Sequence, residues 1–409
     1  MQCRDYDPKT DRDAVHRIWR EVGWLRKGNE PALDAFLACG RALVSDVAGQ
    51  PECAVTTAPG LIRYLKEDLP FVEVTGVATS RIARQQGLAK RVLARALAAD
   101  VAEGALLSRV CIFDQGFYNR VGFGPGAYEH TISFDPATLR VDVTPRVPQR
   151  LGKEDGELMH ASRLARRRGH GAVIYQASGL TDSEVRWSEN QFGLGYRDGA
   201  NGDLTHHFWC IPENVEFGPY RIGWMAYRTW EQYLELLALL QHLGDQVRLV
   251  RMREPQGVQI QDLLDRPFRH HAITDKSPYR NRMSAYAFWQ VRMLDVPGCL
   301  AATKLDCGET RFNLRLSDPI EGLLEEGASW RGVAGRYLVT LGPSSGAEVG
   351  DVASLPTLHA SVNAFTRMWL GVRPATGLAV TDDLSGPPEL LDHLDSVLRL
   401  PEPKPDWDF

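Results

Sequence analysis

At 409 residues the chain is too long for one ordinary core, which sets an expectation of two or three domains. Hydrophobic residues at 44% and charged residues at 24% describe a soluble globular protein, and 47 basic against 52 acidic side chains, net −5, argue against a general nucleic-acid binder. No apolar run approaches the roughly 18 residues that cross a bilayer, and the opening MQCRDYDPKTDRD is too charged for a signal peptide. Seven cysteines without a CxxC pair give no metal-ligand spacing and read as buried or incidental thiols of a reducing cytoplasm. The expectation is a cytoplasmic protein without a structural metal, a nucleic-acid partner or a membrane attachment.

In chain order, a charged strand-like segment from residue 4 leads into a helix near Asp13, with Val15, Ile18, Trp19 and Val22 on one face. Asp11 or Asp13 is placed to cap it. A second helix is expected near Pro31 to Cys39, and Ala42–Ser45 and Glu52–Thr57 read as strands about a turn. A β-branched run then ends in Val77-Ala78-Thr79, a short loop carries Arg84-Gln85-Gln86-Gly87-Leu88-Ala89, and a helical pattern follows. Strand, loop and helix N-terminus in that order make an anion cradle, because free N–H groups and the positive end of the helix dipole converge on one spot. Gly87 lets backbone approach a ligand closely, and Ala89 keeps the helix start uncrowded. Between Val74 and Ala99 there is no acidic residue, while Arg81, Arg84, Lys90, Arg91 and Arg95 all lie there. An ordinary strand-to-helix connection with a solvated basic face accounts for the same residues.

A helix ending near Gly104 and a strand from Ser108 lead to Asp114–Gly124, which reads YxRxGFG from Tyr118. The RxxGxA loop after a strand, with YxRxGFG about thirty residues on, resembles the GNAT-type N-acetyltransferases. The resemblance implies that Arg84 to Ala89 hold the pyrophosphate of acetyl-CoA. It also puts Val77, Ala78 and Thr79 on the donor's path, with backbone groups of Val77 and Ala78 offered to the thioester and pantetheine.

The proline-bearing stretch VDVTPRVPQR at 141–150 marks a boundary, so a first domain is expected over 1–143. The helix-like 152–169 holds Arg163, Arg166, Arg167 and Arg168, read as a solvated face because aromatic interleaving is absent. Strands near 204–211 and 220–227, a helix at 230–243 and a strand at 246–252 repeat the layout of the first domain. Only Arg228-Thr229 precede the second helix, so 144–290 is expected to be a degenerate GNAT-like unit without a CoA loop. His206 and His207 are strand neighbours pointing to opposite faces and read as structural. Alternating strands and then two short helices make 291–409 an α+β domain that resembles the sterol-carrier-protein-like module. Three α+β units in this order resemble the enhanced intracellular survival (Eis-like) acetyltransferases over essentially the whole chain, and members of that group also end in phenylalanine, here Phe409.

Acetyl transfer from a thioester to an amine must grip the donor, deprotonate an ammonium of pKa near 10 and protonate the leaving thiolate. The resemblance assigns the acid to the Tyr118 hydroxyl; phenol and thiol differ by only about 1.5 units in model peptides. A packed tyrosine at a strand end is the plain alternative. The base is assigned to the α-carboxylate of Phe409, threaded back into the acceptor pocket. Pro401, Pro403 and Pro405 stiffen an extended approach, and Trp407 and Phe409 are apolar anchors. The pocket is placed between the first helices and this tail, with Trp19, Trp24, Phe36 and Asp408 as candidates, although core packing explains Trp19 equally. Family members accept large polyamines such as aminoglycosides there, whereas Arg26 and Lys27 near the mouth argue against a polycationic acceptor. Phe113 stands where relatives often carry a small residue and would narrow the pantetheine tunnel; Cys111 reads as a core cysteine.

The expected activity is direct transfer of acetyl from acetyl-CoA to an amine of a small molecule. A protein lysine or N-terminal amine as acceptor, or a non-catalytic CoA- or lipid-binding protein, are the alternatives. Relatives assemble as homo-oligomers, hexamers among them, which the resemblance extends to this chain.

Overall fold

The structure, a computed structural model, describes residues 2–112, 114–198, 202–267 and 281–407. Phe113, Asp408 and Phe409 lie outside the described residues. The chain divides into two units, one of Met1–Ala127, His170–Val173 and Ala287–Phe409, the other of Tyr128–Gly169 and Ile174–Tyr286.

The first unit opens with β1 (Gln2–Asp5), α1 (Arg12–Glu21) and α2 (Glu30–Leu37). Then come β2 (Arg41–Val47), β3 (Gln50–Tyr64), β4 (Glu67–Thr79), α3 (Leu88–Ala102) and β5 (Leu107–Cys111). The short α4 (Gln115–Asn119) and β6 (Gly124–Pro125) complete this part. The second unit holds β7 (Glu129–Phe134), β8 (Gln149–Leu151) and α5 (Gly156–Leu164); β9 (Val173–Tyr175) follows, then α6 (Ser178–Arg186) and β10 (Phe192–Tyr196). It continues through β11 (His206–Pro212), β12 (Tyr220–Ala226), α7 (Trp230–His242), β13 (Val250–Arg253) and β14 (Arg282–Tyr286). The chain returns to the first unit with β15 (Trp289–Met293), α8 (Val296–Ala301), β16 (Thr310–Ser317), β17 (Gly335–Leu341) and β18 (Gly346–Val349). Last are β19 (Thr357–Ser361), α9 (Val362–Trp369), α10 (Ala375–Thr381), β20 (Leu384–Ser385) and α11 (Pro388–Val397).

The main sheet of the first unit runs β1-β2-β3-β4-β5-β15-β6. Side chains alternate between its faces. Val72, Val74 and Val110 join Leu43 and Val55 against Val92, Leu93, Ala96 and Leu97 of α3, forming the core. Glu73 and Arg109, one step along each strand, therefore point to the opposite face. Trp19 packs on that face too, since a Cβ at Gly76 would come within 2.9 Å of its ring. A separate sheet, β18-β17-β16-β19-β20, with α9 to α11 gives the C-terminal part its α+β character.

The sheet of the second unit runs β14-β7-β13-β12-β11-β10-β8. Its β12-α7-β13 crossover is parallel, and Tyr233, Leu236, Leu237 and Leu240 bury the apolar stripe of α7. Each such fully buried side chain contributes roughly 1.5–3 kcal/mol of burial free energy.

The units do not follow the expected breaks after 143 and 290. β7 pairs with β13 in the second sheet, and β15 pairs with β5 in the first. Strand exchange of this kind leaves no local mark, because a strand's pattern shows that it needs partners and not which. The arginine-rich helix also differs from expectation. Arg163 is 2% and Arg166 7% exposed; Arg163 pairs with Glu184 and lies 4.2 Å over the Trp224 ring. His206 and His207 are both buried on opposite faces. His206 Nε2 meets Glu235 at 3.0 Å, and His207 accepts from Trp224 Nε1 at 3.0 Å.

Candidate active site

β4 and β5 pair in parallel from Phe71–Leu107 to Val74–Val110, and there the ladder stops. β4 continues to Thr79, so 75–79 have no strand partner on that side among the described residues. A bulge at Thr75, opposite the register shift between Thr56 and Thr57, accompanies the divergence. Val77, Ala78 and Thr79 thus border an open slot.

At the end of the slot the loop makes a turn at Arg81–Ala83, and Gln85 and Gly87 take left-handed conformations, φ +63° and +75°. Gly87 is the N-cap of α3 and supplies no side-chain cap, so the first N–H groups of the helix keep their bonding capacity. A Cβ added at Gly87 would meet nothing within 4 Å. Arg84, Gln85 and Gln86 are exposed, Leu88 is buried in the core and Ala89 is half-buried. Of the five nearby cations, Arg95 bonds the Cys3 carbonyl and pairs with Glu325, and Arg81 Nη2 donates to the Glu21 carbonyl at 3.4 Å. Arg84, Lys90 and Arg91 form no ion pair among the described residues. An open helix N-terminus ringed by uncommitted cations fits a phosphate-bearing ligand.

Tyr118 sits on α4, whose N-cap Asp114 accepts from Phe117 N at 3.3 Å. Its ring is 6% exposed and edge-on to Phe117 and Phe123, at 4.9 and 6.0 Å. No hydrogen bond engages its hydroxyl among the described residues. Burial pushes its pKa up, and the neighbouring Cys111 and Asp114 push the same way, so the phenol keeps its proton at neutral pH.

The turn after Tyr118 is held from far along the sequence. Arg292 Nη1 donates to the Val121 carbonyl, while Nη2 pairs with Asp318 at 2.7 Å, all fully buried. Gly122, φ +89°, is required because a Cβ would approach Arg292 Nη1 to 2.7 Å. Asn363 Nδ2 donates to the Phe123 carbonyl at 2.6 Å. Arg292 and Asn363 escaped the sequence reading; a charged residue inside the apolar run Trp289–Met293 was the available signal.

Trp19, Trp24 and Phe36 come together, with Trp19 edge-on to the other two at 5.4 and 5.7 Å. Trp19 and Phe36 are buried, Trp24 is half-buried, and Arg26 and Lys27 are exposed. Pro403, Pro405 and Trp407 are buried, Lys404 is half-buried and Asp406 exposed, the alternation of an extended segment docked along one side. Lys404 N donates to the His170 carbonyl at 3.0 Å. The His170 ring accepts from Leu65 N at 3.0 Å and donates to the Leu370 carbonyl at 2.9 Å. The Trp407 carbonyl accepts from Arg109 Nη2 at 2.7 Å, and Arg109 Nε meets Glu73 at 2.6 Å. Glu73 and Arg109 face each other one rung before β4 and β5 part. Sequence reasoning missed both, since neither belongs to a motif. The candidate residues Asp408 and Phe409 follow Trp407 outside the described residues.

Among the described residues, no helix is long and apolar enough to cross a membrane and no group of three or more His, Cys, Asp or Glu could hold a metal. No protein-family model matches the chain, and no curated protein matches it. Solved structures do. A probable N-acyltransferase of Enterococcus faecalis superposes with a TM-score of 0.80 at 16% identity, over 100% of this chain and 99% of that one. Eis1 of Mycobacterium abscessus gives 0.76 at 15% identity over 100% of both chains. A GCN5-related N-acetyltransferase of Kribbella flavida gives 0.74 at 16% identity, over 100% of this chain and 98% of that one. At such identities the likeness is one of fold: along its whole length the chain shares the mixed α+β architecture of these three structures.

Proposed function

We propose that the protein is an acetyl-CoA-dependent N-acetyltransferase that acetylates an amine of a small molecule by direct transfer. The observation that carries this reading is the company kept in one unit by an open, uncapped α3 N-terminus, a strand running on past its partner, and a buried tyrosine whose hydroxyl is unengaged. In this reading the loop Arg84 to Ala89 binds the pyrophosphate of acetyl-CoA, with Arg84, Lys90 and Arg91 supplying charge. Val77, Ala78 and Thr79 line the pantetheine arm. Trp24, Phe36 and Asp408 contact the acceptor.

The base is the α-carboxylate that Phe409 carries in this sequence. It draws a proton from the ammonium, and the freed amine attacks the thioester carbonyl. Collapse of the tetrahedral adduct breaks the C–S bond, Tyr118 gives its proton to the departing sulfur, and the second proton of the acylated nitrogen returns the phenolate to its neutral form, leaving the amide. A phenol raised by burial carries its proton at neutral pH, and the same burial makes it a weaker acid than the roughly 1.5-unit gap of model peptides implies. The docking of Pro403 to Trp407 supports the tail's part, since two further residues span at most roughly 7 Å. The middle unit would bind no donor, and the C-terminal α+β part, read as sterol-carrier-protein-like, would serve to present the tail. A cytoplasmic homo-oligomer is the accompanying proposal.

Tyr118→Phe tests the reading. Calorimetry should show acetyl-CoA binding intact while kcat falls by about two orders of magnitude. Undiminished turnover removes Tyr118 as the acid, and no binding at millimolar acetyl-CoA removes the enzyme reading. A few residues appended after Phe409 should abolish most thiol release from acetyl-CoA with an amine panel, leaving Tm in place; full activity would sink the carboxylate base.

A further inference from the structure

We propose that Arg109, held by Glu73, is the positioning residue that fixes the C-terminal tail on the acceptor face of the sheet, an inference that rests on the acetyltransferase reading above. Both side chains are fully buried on the face away from α3. A buried ion pair is a weak source of stability, because the desolvation of two charges consumes most of their attraction and a well-packed apolar pair does as well. Its presence at this rung therefore calls for a role that an apolar pair cannot fill.

The geometry supplies one. The planar guanidinium presents donors in a rigid fork, so Nε bonds Glu73 at 2.6 Å while Nη2 bonds the Trp407 carbonyl at 2.7 Å. A lysine, one compact charge, would not hold both in this arrangement. The rest of the tail is also held: Lys404 N by the His170 carbonyl, and Pro403 against Gly171, where a Cβ would come within 2.7 Å of the proline. Yet those contacts lie three and four residues upstream of Trp407. Arg109 grips the last described residue, one rung from where the donor slot opens.

The test compares the full-length protein with the neutral pair Arg109→Met/Glu73→Gln, which leaves no lone buried charge, and with Arg109→Lys. Carboxypeptidase digestion read by mass spectrometry should halt before Trp407 in the wild type. In the pair variant it should pass Trp407 at least ten times faster, and in Arg109→Lys faster in lesser degree. Calorimetry should give an acetyl-CoA Kd within about twofold of wild type, while kcat in the thiol-release assay falls by about tenfold or more. When residues 408–409 are deleted as well, the pair variant should lower kcat no further, a non-additivity that a general structural defect would not produce. Equal digestion past Trp407 in wild type and variants overturns the anchor. Faster digestion with unchanged kcat overturns the positioning role. If the pair variant does not fold, Arg109→Lys alone gives the same two decisions. Failure of the acetyltransferase reading would look different, as absent acetyl-CoA binding in the wild type.

Discussion

Two β–α crossovers, β4-α3-β5 and β12-α7-β13, have the same topology and opposite endings. In the first, residues 80–87 separate β4 from α3, and the N-cap is a left-handed glycine with no side chain to offer. In the second, only residues 227–229 separate β12 from α7. There Thr229 caps the helix by accepting from Gln232 N, the Gln232 side chain reaches back to Arg228 N, and Glu231 stands in the first turn. That helix supplies its own acceptors and its own anion. Tyr227, Trp230 and Tyr233 cluster at its start with ring centroids 4.9 to 5.8 Å apart, and Arg167 lies 4.8 Å over Trp230. The parallel scaffold thus sets where an anion could bind, and a few loop residues decide whether the helix end is open to one.

The comparison breaks hardest at Gly87. Gly87→Asp gives α3 both a cap and a carboxylate, making it resemble α7, and aspartate tolerates the left-handed backbone better than most residues. The acetyl-CoA Kd measured by calorimetry should rise about 100-fold, or about 2.7 kcal/mol, with little change in Tm; an unchanged Kd would end the cradle reading.

Next comes acid. Among the described residues the second unit keeps His160, His206 and His207 neutral by burial, His207 pushed down to about 3, and the first unit does the same with His170. Unfolded histidines take up protons below about 6.5 that these refuse, so stability is full above that pH and falls as pH drops toward 3. His207 alone should cost about 2 kcal/mol at pH 5, read as a lower urea midpoint than at pH 7.5. His207→Gln should flatten that slope, and a wild-type midpoint independent of pH over this range would contradict the assignment.

Arg84→Ala/Arg91→Ala should raise the acetyl-CoA Kd about tenfold at low salt and less at high salt, because the charges are exposed. Arg167→Ala, its counterpart beside α7, should leave that Kd alone; equal effects would erase the distinction. Smallest is Thr229→Ala, which should lower stability by about 1 kcal/mol through loss of the cap. It should leave binding stoichiometry at one acetyl-CoA per chain, and a second site appearing would show that the cap alone had closed α7.

The difference between the crossovers was legible in the sequence because it is local. RxxGxA needs a glycine where φ is positive, and Arg228-Thr229 before the helix of the second unit is too short to make such a loop. The β12-α7-β13 order, the aromatic trio at Trp19, Trp24 and Phe36, and the alternation of prolines in the tail were readable for the same reason. Arg163 and Arg166 were not. Their spacing looks solvated, and only the arrival of Glu184 and Trp224 makes their burial affordable.

What the sequence by itself determined is the set of local backbone devices: a strand ending at Thr79, a left-handed Gly87, a helix starting at Leu88, a tyrosine in a glycine-bound turn. Each depends on residues a few positions apart. Only the tertiary structure decided which distant segments complete them. β15 returns to pair with β5, Arg292 reaches the turn after Tyr118, and Arg109 takes the carbonyl of Trp407. Backbone pairing and buried charges require partners without specifying their place in the chain. The assignment therefore waits on the fold.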